Sequence, residues 1–546
     1  MALSDIIDSV KALSNAGILE RGTPKGTRLF MGNVLRGDFH PSTIWAVHAA
    51  NLADKEALVY KDRRLTWSQV NARINRLVHG LQALGIKPGD KVAYMLKNSN
   101  EWIEALAACN KLGASAVFVS YRYTPREVEY LVNNSESRAM LFGEDFEGVI
   151  REAMPNLPIA GSRYVQVGGA PKPPFASYED LIQGGVEDEP SRGLRKGGSR
   201  VIIYTSGTTG KPKGAVRDFA KTGLTTLVGL LRVVPFRRSD RHLVAAPMYH
   251  ATGSGLATIH ISLGATLVIM EKFDPIEFLE TVEREKITTT AVVPTMLRTI
   301  LMLPEKQRAK YDVSSMRVII CTGSALPQKL KDMSREYFGE SLYDLYGSTE
   351  MGWVTIATPQ DQVARPGSVG KAVPGNEVVL IGENGKPVPD GEVGELYTKN
   401  KITIEGYHKN DEATKKARWG DHFSVGDLAM RDKDGYIHIV DRKTDMVISG
   451  GMNLYPAEIE DVLVAHPKIL EAGVIGVPDE HWGEAMVAFV VPSPGQTITA
   501  DEVMDHCRKN LAGYKIPRQI RFAEELPRNP TGKILKKELK ARLAPA

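Results

Sequence analysis

The stretch "RVIIYTSGTTGKPKG", residues 200–214, joins a β-branched apolar run to a loop of glycines, hydroxyls and lysines. Open α/β sheets hold their ligands in just such loops, at the carboxyl ends of buried strands. Three glycines, the hydroxyls of Thr205, Ser206, Thr208 and Thr209, and Lys211 and Lys213 make a loop suited to phosphate. It is not the P-loop G-x-x-x-x-G-K-[ST]: the first glycine of that pattern would fall on Thr205 and its magnesium-binding hydroxyl on Pro212. Proline there also removes a backbone N–H from the turn. The plainer reading is a flexible Gly/Ser/Thr connection. The density of hydroxyls and lysines weighs against it.

Outward from this loop, "HLVAAPM", "ATLVIM", "TTTAVVPT" and "RVIICTGS" read as further buried strands. Amphipathic stretches separate them, such as "DPIEFLETVEREK", with Ile276, Leu279 and Val282 near helical spacing. The alternation predicts a doubly wound α/β sheet. Residues 168–200, rich in Pro, Gly and charge, read as a linker between two subdomains. Residues 365–396 carry turn signals a few residues apart, which predicts short antiparallel strands. After "DRKTDMVISGG" the chain starts again. "AEIEDVLVAHP" places Ile459, Val462 and Leu463 on one helix face, and "AGVIGVP" and "AMVAFVVP" read as strands. A domain boundary is therefore expected at Asp441–Thr444, with a small α+β domain beyond it.

A chain of 546 residues is too long for one ordinary core and calls for at least two domains. With 69 basic and 65 acidic residues the net charge is +4, without the basic excess of a nucleic-acid binder. Cys109, Cys321 and Cys507 lie far apart with no C-x-x-C, so no disulfide framework or zinc knuckle is readable and a reduced, cytoplasmic setting is expected. Asp5 and Asp8 stand where a signal peptide carries positive charge. The most apolar region, "TGLTTLVGLLRVVPF", is broken by Arg232 and Pro235 and is too short to span a bilayer. The terminal "LAPA" matches no retention signal.

Several loops share one logic. "YGSTE", residues 346–350, offers an aromatic to stack on a base, Thr349 for a phosphate oxygen and Glu350 for magnesium. "CTGSALP" has small residues that let a flat ring approach the backbone. Asp427 can accept both hydroxyls of a ribose, and "PRNPTGKILKKEL" sets Lys533 after a turn. Alone, each has a bland reading: a strand-end turn, a cap, one charge in a basic helix. Together they specify ATP.

With "GELYTKNKITIEGY", "DRKTDMVISGG" and "PTGK", these motifs make the chain resemble the acyl-CoA synthetase branch of the adenylate-forming superfamily, which also contains firefly luciferase and peptide-synthetase adenylation domains. The resemblance runs from "ADKEALVYKD" to "TGKILKKELKARL". It implies an α/β fold: a large N-terminal domain, 1–441, of doubly wound mixed sheets with a small β-barrel subdomain, then a small mobile α+β domain, 442–546, carrying the catalytic lysine. It implies ATP, magnesium and coenzyme A as cofactors and co-substrates. Thr205, Ser206, Gly207, Thr208, Thr209, Gly210 and Lys213 would cradle the β- and γ-phosphates. Gly323, Ser324, Ala325, Tyr346 and Gly347 would frame the adenine, with Asp344 beside them where many relatives carry Asn or Gln. Asp427 and Arg442 would hold the ribose, Thr349 the α-phosphate, and Glu350 with Thr205 the metal. Lys533 would bridge carboxylate and phosphate oxygens. His250 would gate the acyl or pantetheine path, and Gly450 and Gly451 would flank the pantetheine.

The implied chemistry turns a poor electrophile into a good one. Attack of a carboxylate on the α-phosphate gives an acyl-AMP anhydride, and positioned cations stabilise the charge developing at phosphorus. CoA thiolate then attacks the carbonyl after the C-terminal domain rotates and withdraws Lys533. Three positions depart from the family pattern: Thr444 at the hinge, usually Lys or Asp; Val425 for the Thr of Thr-Gly-Asp; and Asp344. Small Gly253, Ser254 and Gly352 are expected to leave room for an elongated acyl chain, and no basic residue stands out to pair with a second carboxylate. A medium- to long-chain fatty acid is therefore the expected substrate, with an aryl or branched acid as runner-up. Peripheral contact with a membrane is compatible with such a substrate, although no anchor is readable. Oligomeric state stays open, a homodimer included. The competing classes are an acyl-AMP ligase that loads a carrier protein, opposed by the lack of a recognisable extra N-terminal segment or following carrier domain, and a non-catalytic module, opposed by intact Lys533, Glu350 and Asp427.

Overall fold

The computed structural model describes residues 3–20, 22–35, 40–191, 194, 200–205, 212–218, 223–449, 452–529 and 532–543. Two large sheets dominate. The first has eight strands, and its central run Arg200–Thr205, Ser115–Phe118, Lys91–Met95, Ala139–Gly143 and Tyr164–Val167 is parallel. The second has nine, with a parallel centre of Leu342–Ser348, Val318–Cys321, Thr289–Val292, Arg241–Val244, Thr266–Ile269 and Glu56–Tyr60. Most residues of these strands are buried, as parallel strands covered on both faces must be, the carboxyl end of Leu342–Ser348 being half-buried.

Helix Asn100–Leu112 lies between the two sheets with every residue buried. Its alanines allow that close approach, and Trp102 and Leu106 share one core with Val92 and Ala116 of the first sheet and Leu58 and Leu267 of the second. Ser99 caps the helix by accepting from the N–H of Trp102 at 3.3 Å, and Gly113, at φ +72°, ends it in the left-handed conformation. With the sheets locked to this helix, the loops at their strand ends face a common cleft.

Antiparallel strands between residues 377 and 442 form a six-stranded sheet around Leu396, Phe423 and Ala429. A five-stranded sheet follows, built on the long hairpin Ile469–Asp479 and Gly483–Pro492 and covered by helices Pro456–Ala465 and Ala500–Asn510. Arg442 is the last residue of strand Ile437–Arg442 in the first of these sheets, and Val447–Ser449 opens the second, so the change of sheet falls within residues 443–446.

Of the expected linker 168–200, residues 168–191 are built into the domain. The segment adds strand Ala176–Ser177 to the first sheet, and helix Tyr178–Gly184 packs on helix Trp67–Ala83. Tyr178 is buried and donates to Glu104 at 2.7 Å, while Glu189 pairs with the fully buried Lys111 at 2.9 Å. Apolar and charged anchors thus override the Pro/Gly composition. Among the described residues no helix is long and apolar enough to cross a membrane.

Candidate active site

A connected cavity of 2210 Å³ opens where the strand ends of both sheets meet the C-terminal unit; Thr205, Lys213, His250, Gly323, Gly347, Thr349, Glu350, Arg442 and Lys533 line it. Of the phosphate loop, Thr205 and Lys213 are described; Ser206, Gly207, Thr208, Thr209 and Gly210 lie outside the described residues, as do Gly450 and Gly451.

The "YGSTE" turn follows strand Leu342–Ser348. Ser348 Oγ accepts from the N–H groups of Glu350 (3.2 Å) and Met351 (3.0 Å), closing the turn. From the neighbouring sheet, buried Arg217 donates to the carbonyl of Thr349 at 2.5 Å. Burial brings its guanidinium down to about 10. Glu350 is buried, and its Oε1 accepts from Thr205 Oγ1 at 3.0 Å and from the Tyr407 hydroxyl at 3.3 Å. Lys213 Nζ lies 5.3 Å from the centre of the Tyr407 ring. One carboxylate, two hydroxyls and a lysine thus converge at the mouth of the phosphate loop. Among the described residues no cluster of three or more His, Cys, Asp or Glu could hold a metal by itself. The set instead suits magnesium, which binds through one or two carboxylates together with substrate phosphates.

Tyr346, Asp427 and Arg442 form a second group. The Tyr346 hydroxyl donates to Asp427 Oδ2 at 2.7 Å, and Arg442 Nε approaches Asp427 Oδ1 at 3.2 Å. Antiparallel pairing sets Asp427 directly opposite Arg442 and so fixes the contact. Gly323, at φ +99°, starts the loop after strand Val318–Cys321, with Ser324 and Ala325 following it at the surface. Asp344 lies behind this group. It is buried in an ion pair with Lys331 at 2.7 Å, and burial pushes its carboxyl up.

Lys533 sits on a turn closed by Asn529, whose Oδ1 accepts from the Lys533 N–H at 2.9 Å. A Cβ on Gly532 would come within 2.6 Å of Thr295 Oγ1, so the turn lies against helix Pro294–Leu301. Glu471 of the C-terminal hairpin bridges Arg528 at 2.6 Å and Arg298 of that same helix. Burial, with Arg442 nearby, lowers the Lys533 ammonium from 10.5 to about 8. His250 precedes helix Ala251–Leu263. Burial lowers it to about 4, so its imidazole is neutral near pH 7, and its Nε2 has no hydrogen-bond partner among the described residues.

One face of helix Ala251–Leu263 lines the cavity with Ala251, Thr252, Gly255, Leu256, Thr258, Ile259 and Ser262, an i, i+3, i+4, i+7 stripe. A Cβ on Gly255 would meet nothing within 4 Å. The small residues expected to make room, Gly253 and Ser254, do not face this space. Gly253 abuts the carbonyls of Ala246 and Pro247, and Ser254 donates to the carbonyl of His250 at 2.9 Å. Gly352 does line the cavity, but a Cβ there would strike Ile402. Sequence reasoning also missed Arg217 and gave Tyr407 no role, although Tyr407 ends the quoted motif "GELYTKNKITIEGY".

The description "AMP-binding enzyme" belongs to the family that matches residues 45–408, and "AMP-binding enzyme C-terminal domain" to the one that matches 458–533. The chain is 34% identical over 506 residues to a feruloyl-CoA synthase of Amycolatopsis sp, covering 91% of this chain and 98% of the relative. It is 33% identical over 482 residues to a long-chain-fatty-acid–CoA ligase of Mycobacterium tuberculosis, covering 88% and 93%. Among solved structures, the anthranilate CoA ligase AuaEII in complex with anthranoyl-AMP superposes with a TM-score of 0.85 at 30% identity, covering 92% of this chain and 97% of that one.

Proposed function

The chain belongs to the family of AMP-binding enzymes and is an ATP-dependent, AMP-forming acid–CoA ligase that uses ATP, magnesium and coenzyme A; on that premise we propose that its acid is a fatty acid of medium to long chain. The observation that carries this reading is the stripe along helix Ala251–Leu263. From Ala251 to Ser262 the helix rises roughly 17 Å, the length scale of such a chain, and Ile44 and Val47 line the same cavity. The stripe itself carries no cation, and Arg217, which also lines the cavity, donates through Nη2 to the Thr349 carbonyl. A second carboxylate on the substrate has no evident partner along the stripe.

Thr349 and Lys533 face the α-phosphate, and Tyr346 and Gly323 frame the base. Glu350, with Thr205 beside it, would hold magnesium, which supplies neutralisation of the phosphate charge. The acid's carboxylate oxygen attacks the α-phosphorus and the bond to pyrophosphate breaks, giving acyl-AMP. The thiolate of CoA then attacks the acyl carbonyl and the bond to AMP breaks, giving the thioester. Buried unpaired Cys109, Cys321 and Cys507 suit a reducing, cytoplasmic setting.

One observation favours an aryl acid as the second reading. Trp353 Nε1 is buried in the cavity wall without a hydrogen-bond partner among the described residues, a donor that a hydroxyl or methoxyl oxygen on an aromatic ring would satisfy. Pyrophosphate release with a panel of acids, with and without CoA, tests the assignment. Release with an alkanoic acid and thioester only with CoA is the expected outcome. Release without any CoA thioester would assign the acyl group to another acceptor.

Two variants probe the nucleotide group and the hinge. Asp427→Ala removes an ion partner of Arg442 and the acceptor of the Tyr346 hydroxyl. The KM for ATP is expected to rise about 10- to 100-fold, the range for losing charged hydrogen bonds; an unchanged KM would remove Asp427 from the ribose site. Thr444 lies where the chain passes from one sheet to the next. Proline there fixes φ near −65° and restricts Lys443 as well. Thr444→Pro is expected to stop one half-reaction and spare the other, read by pyrophosphate exchange and by thioester formation from supplied acyl-AMP. Wild-type rates in both would place the swivel elsewhere.

A further inference from the structure

Helix Pro24–Leu35, "PKGTRLFMGNVL", turns apolar side chains outward. Its inner face is fixed by close approach to helix Thr43–Asn51. Thr23 donates through its N–H to Asn51 Oδ1 and through Oγ1 to the Ala50 carbonyl, both at 2.9 Å. A Cβ on Gly26 would overlap the Asn51 side chain. With Gly26 and buried Asn33 facing in, helical spacing turns Thr27, Met31 and Leu35 out. Phe30 is 48% exposed, Met31 47% and Leu35 82%, and Leu35 is the most exposed large apolar side chain among the described residues. Lys25 and Arg28 lie at the start of this helix, which contains no carboxylate. Phe30 and Asn33 also line the cavity that runs along helix Ala251–Leu263. The helix is thus apolar and basic on its outer side and forms a wall of the substrate cavity on its inner side.

We propose that helix Pro24–Leu35 is a docking surface for an anionic lipid bilayer, from which the acid enters the cavity beside Phe30. Two features select this occupant. Apolar side chains flanked by cations, with no acid, complement an anionic headgroup layer. Continuity with the cavity gives the contact a purpose, because a long-chain acid partitions into bilayers; this part rests on the fatty-acid reading above.

The test uses the full-length enzyme and co-sedimentation with vesicles of phosphatidylcholine, with and without phosphatidylglycerol. Wild type is expected to sediment with the anionic vesicles and much less with the neutral ones. Met31→Ser/Leu35→Ser is expected to lose at least about tenfold in partitioning, since two exposed apolar side chains no longer enter the lipid. Lys25→Glu/Arg28→Glu is expected to lose the anionic preference. Both variants keep wild-type turnover of octanoate in solution, which also shows that they fold, and both turn over vesicle-borne palmitate more slowly. Failure of wild type to bind either vesicle overturns the proposal. So does conversion of a dimer to a monomer by Met31→Ser/Leu35→Ser, which would make this face a contact between copies. Turnover of albumin-bound palmitate by a wild type that ignores vesicles would overturn the docking surface alone and leave the substrate reading standing.

Discussion

Lys533→Ala is expected to lose roughly a hundred- to a thousandfold in acyl-AMP formation while converting supplied acyl-AMP to acyl-CoA at close to the wild-type rate. The asymmetry follows from where charge develops. Attack at the α-phosphate gathers negative charge from two anions, and Lys533 shares the cavity wall with Thr349 and Arg442. Thiolate attack on a carbonyl expels AMP and needs no cation at that place. The same side chain sets a pH signature. Burial lowers the ammonium to about 8, so the cation is present below that pH and lost above it. For adenylation, kcat/KM for ATP reports the free enzyme; it is expected to stay level on this limb below pH 8 and to fall above it. In Lys533→Ala that fall disappears. Equal loss in both half-reactions by a folded variant, or the same alkaline fall in the variant, would contradict the role.

Gly255→Leu is expected to cut kcat/KM for palmitate by at least about a hundredfold and to leave short acids nearly unaffected. A Cβ at Gly255 points into open space on the cavity side of its helix, so a leucine occupies volume the chain would fill. Each methylene denied its place in an apolar pocket is worth roughly 10- to 200-fold, and a leucine displaces several. The helix tolerates the change, since leucine is a better helix former than glycine by several tenths of a kcal/mol and its Cβ meets nothing within 4 Å. Chain-length preference is read from kcat/KM for butanoate, octanoate and palmitate. A uniform loss across the series would mean that the chain does not run along this helix.

Reading these residues from sequence succeeded where a motif carries its own geometry and failed where the answer depends on phase or register. "YGSTE" and Asp427 stand out as residue types suited to a nucleotide. That the Tyr346 hydroxyl and Arg442 both meet Asp427 depends on two antiparallel strands whose register pairs residues 427 and 442. "HATGSGLATIHISL" mixes small, apolar and hydroxyl residues all round, so its composition cannot tell which glycine faces the substrate. The helix turns Gly253 into a strand-end backbone and Gly255 into the cavity. Arg217 is one arginine among many until burial beneath Thr349 gives it a place. Residues 168–200 look like a linker because proline and glycine outnumber the few side chains that anchor them, Tyr178 and Glu189. Asp344 departs from the family pattern, and its counter-ion Lys331 lies thirteen residues away on helix Gln328–Phe338, legible only once the strand and helix pack.

The central claim is that this acid–CoA ligase selects its substrate by an elongated apolar channel. A single competition measures it: equal concentrations of butanoate, octanoate, palmitate and ferulate with limiting enzyme, ATP, magnesium and CoA, and the thioesters quantified by mass spectrometry at low conversion. The channel along helix Ala251–Leu263 predicts that octanoyl- and palmitoyl-CoA dominate the products. Dominance of feruloyl-CoA would contradict the account and assign the cavity to an aromatic acid.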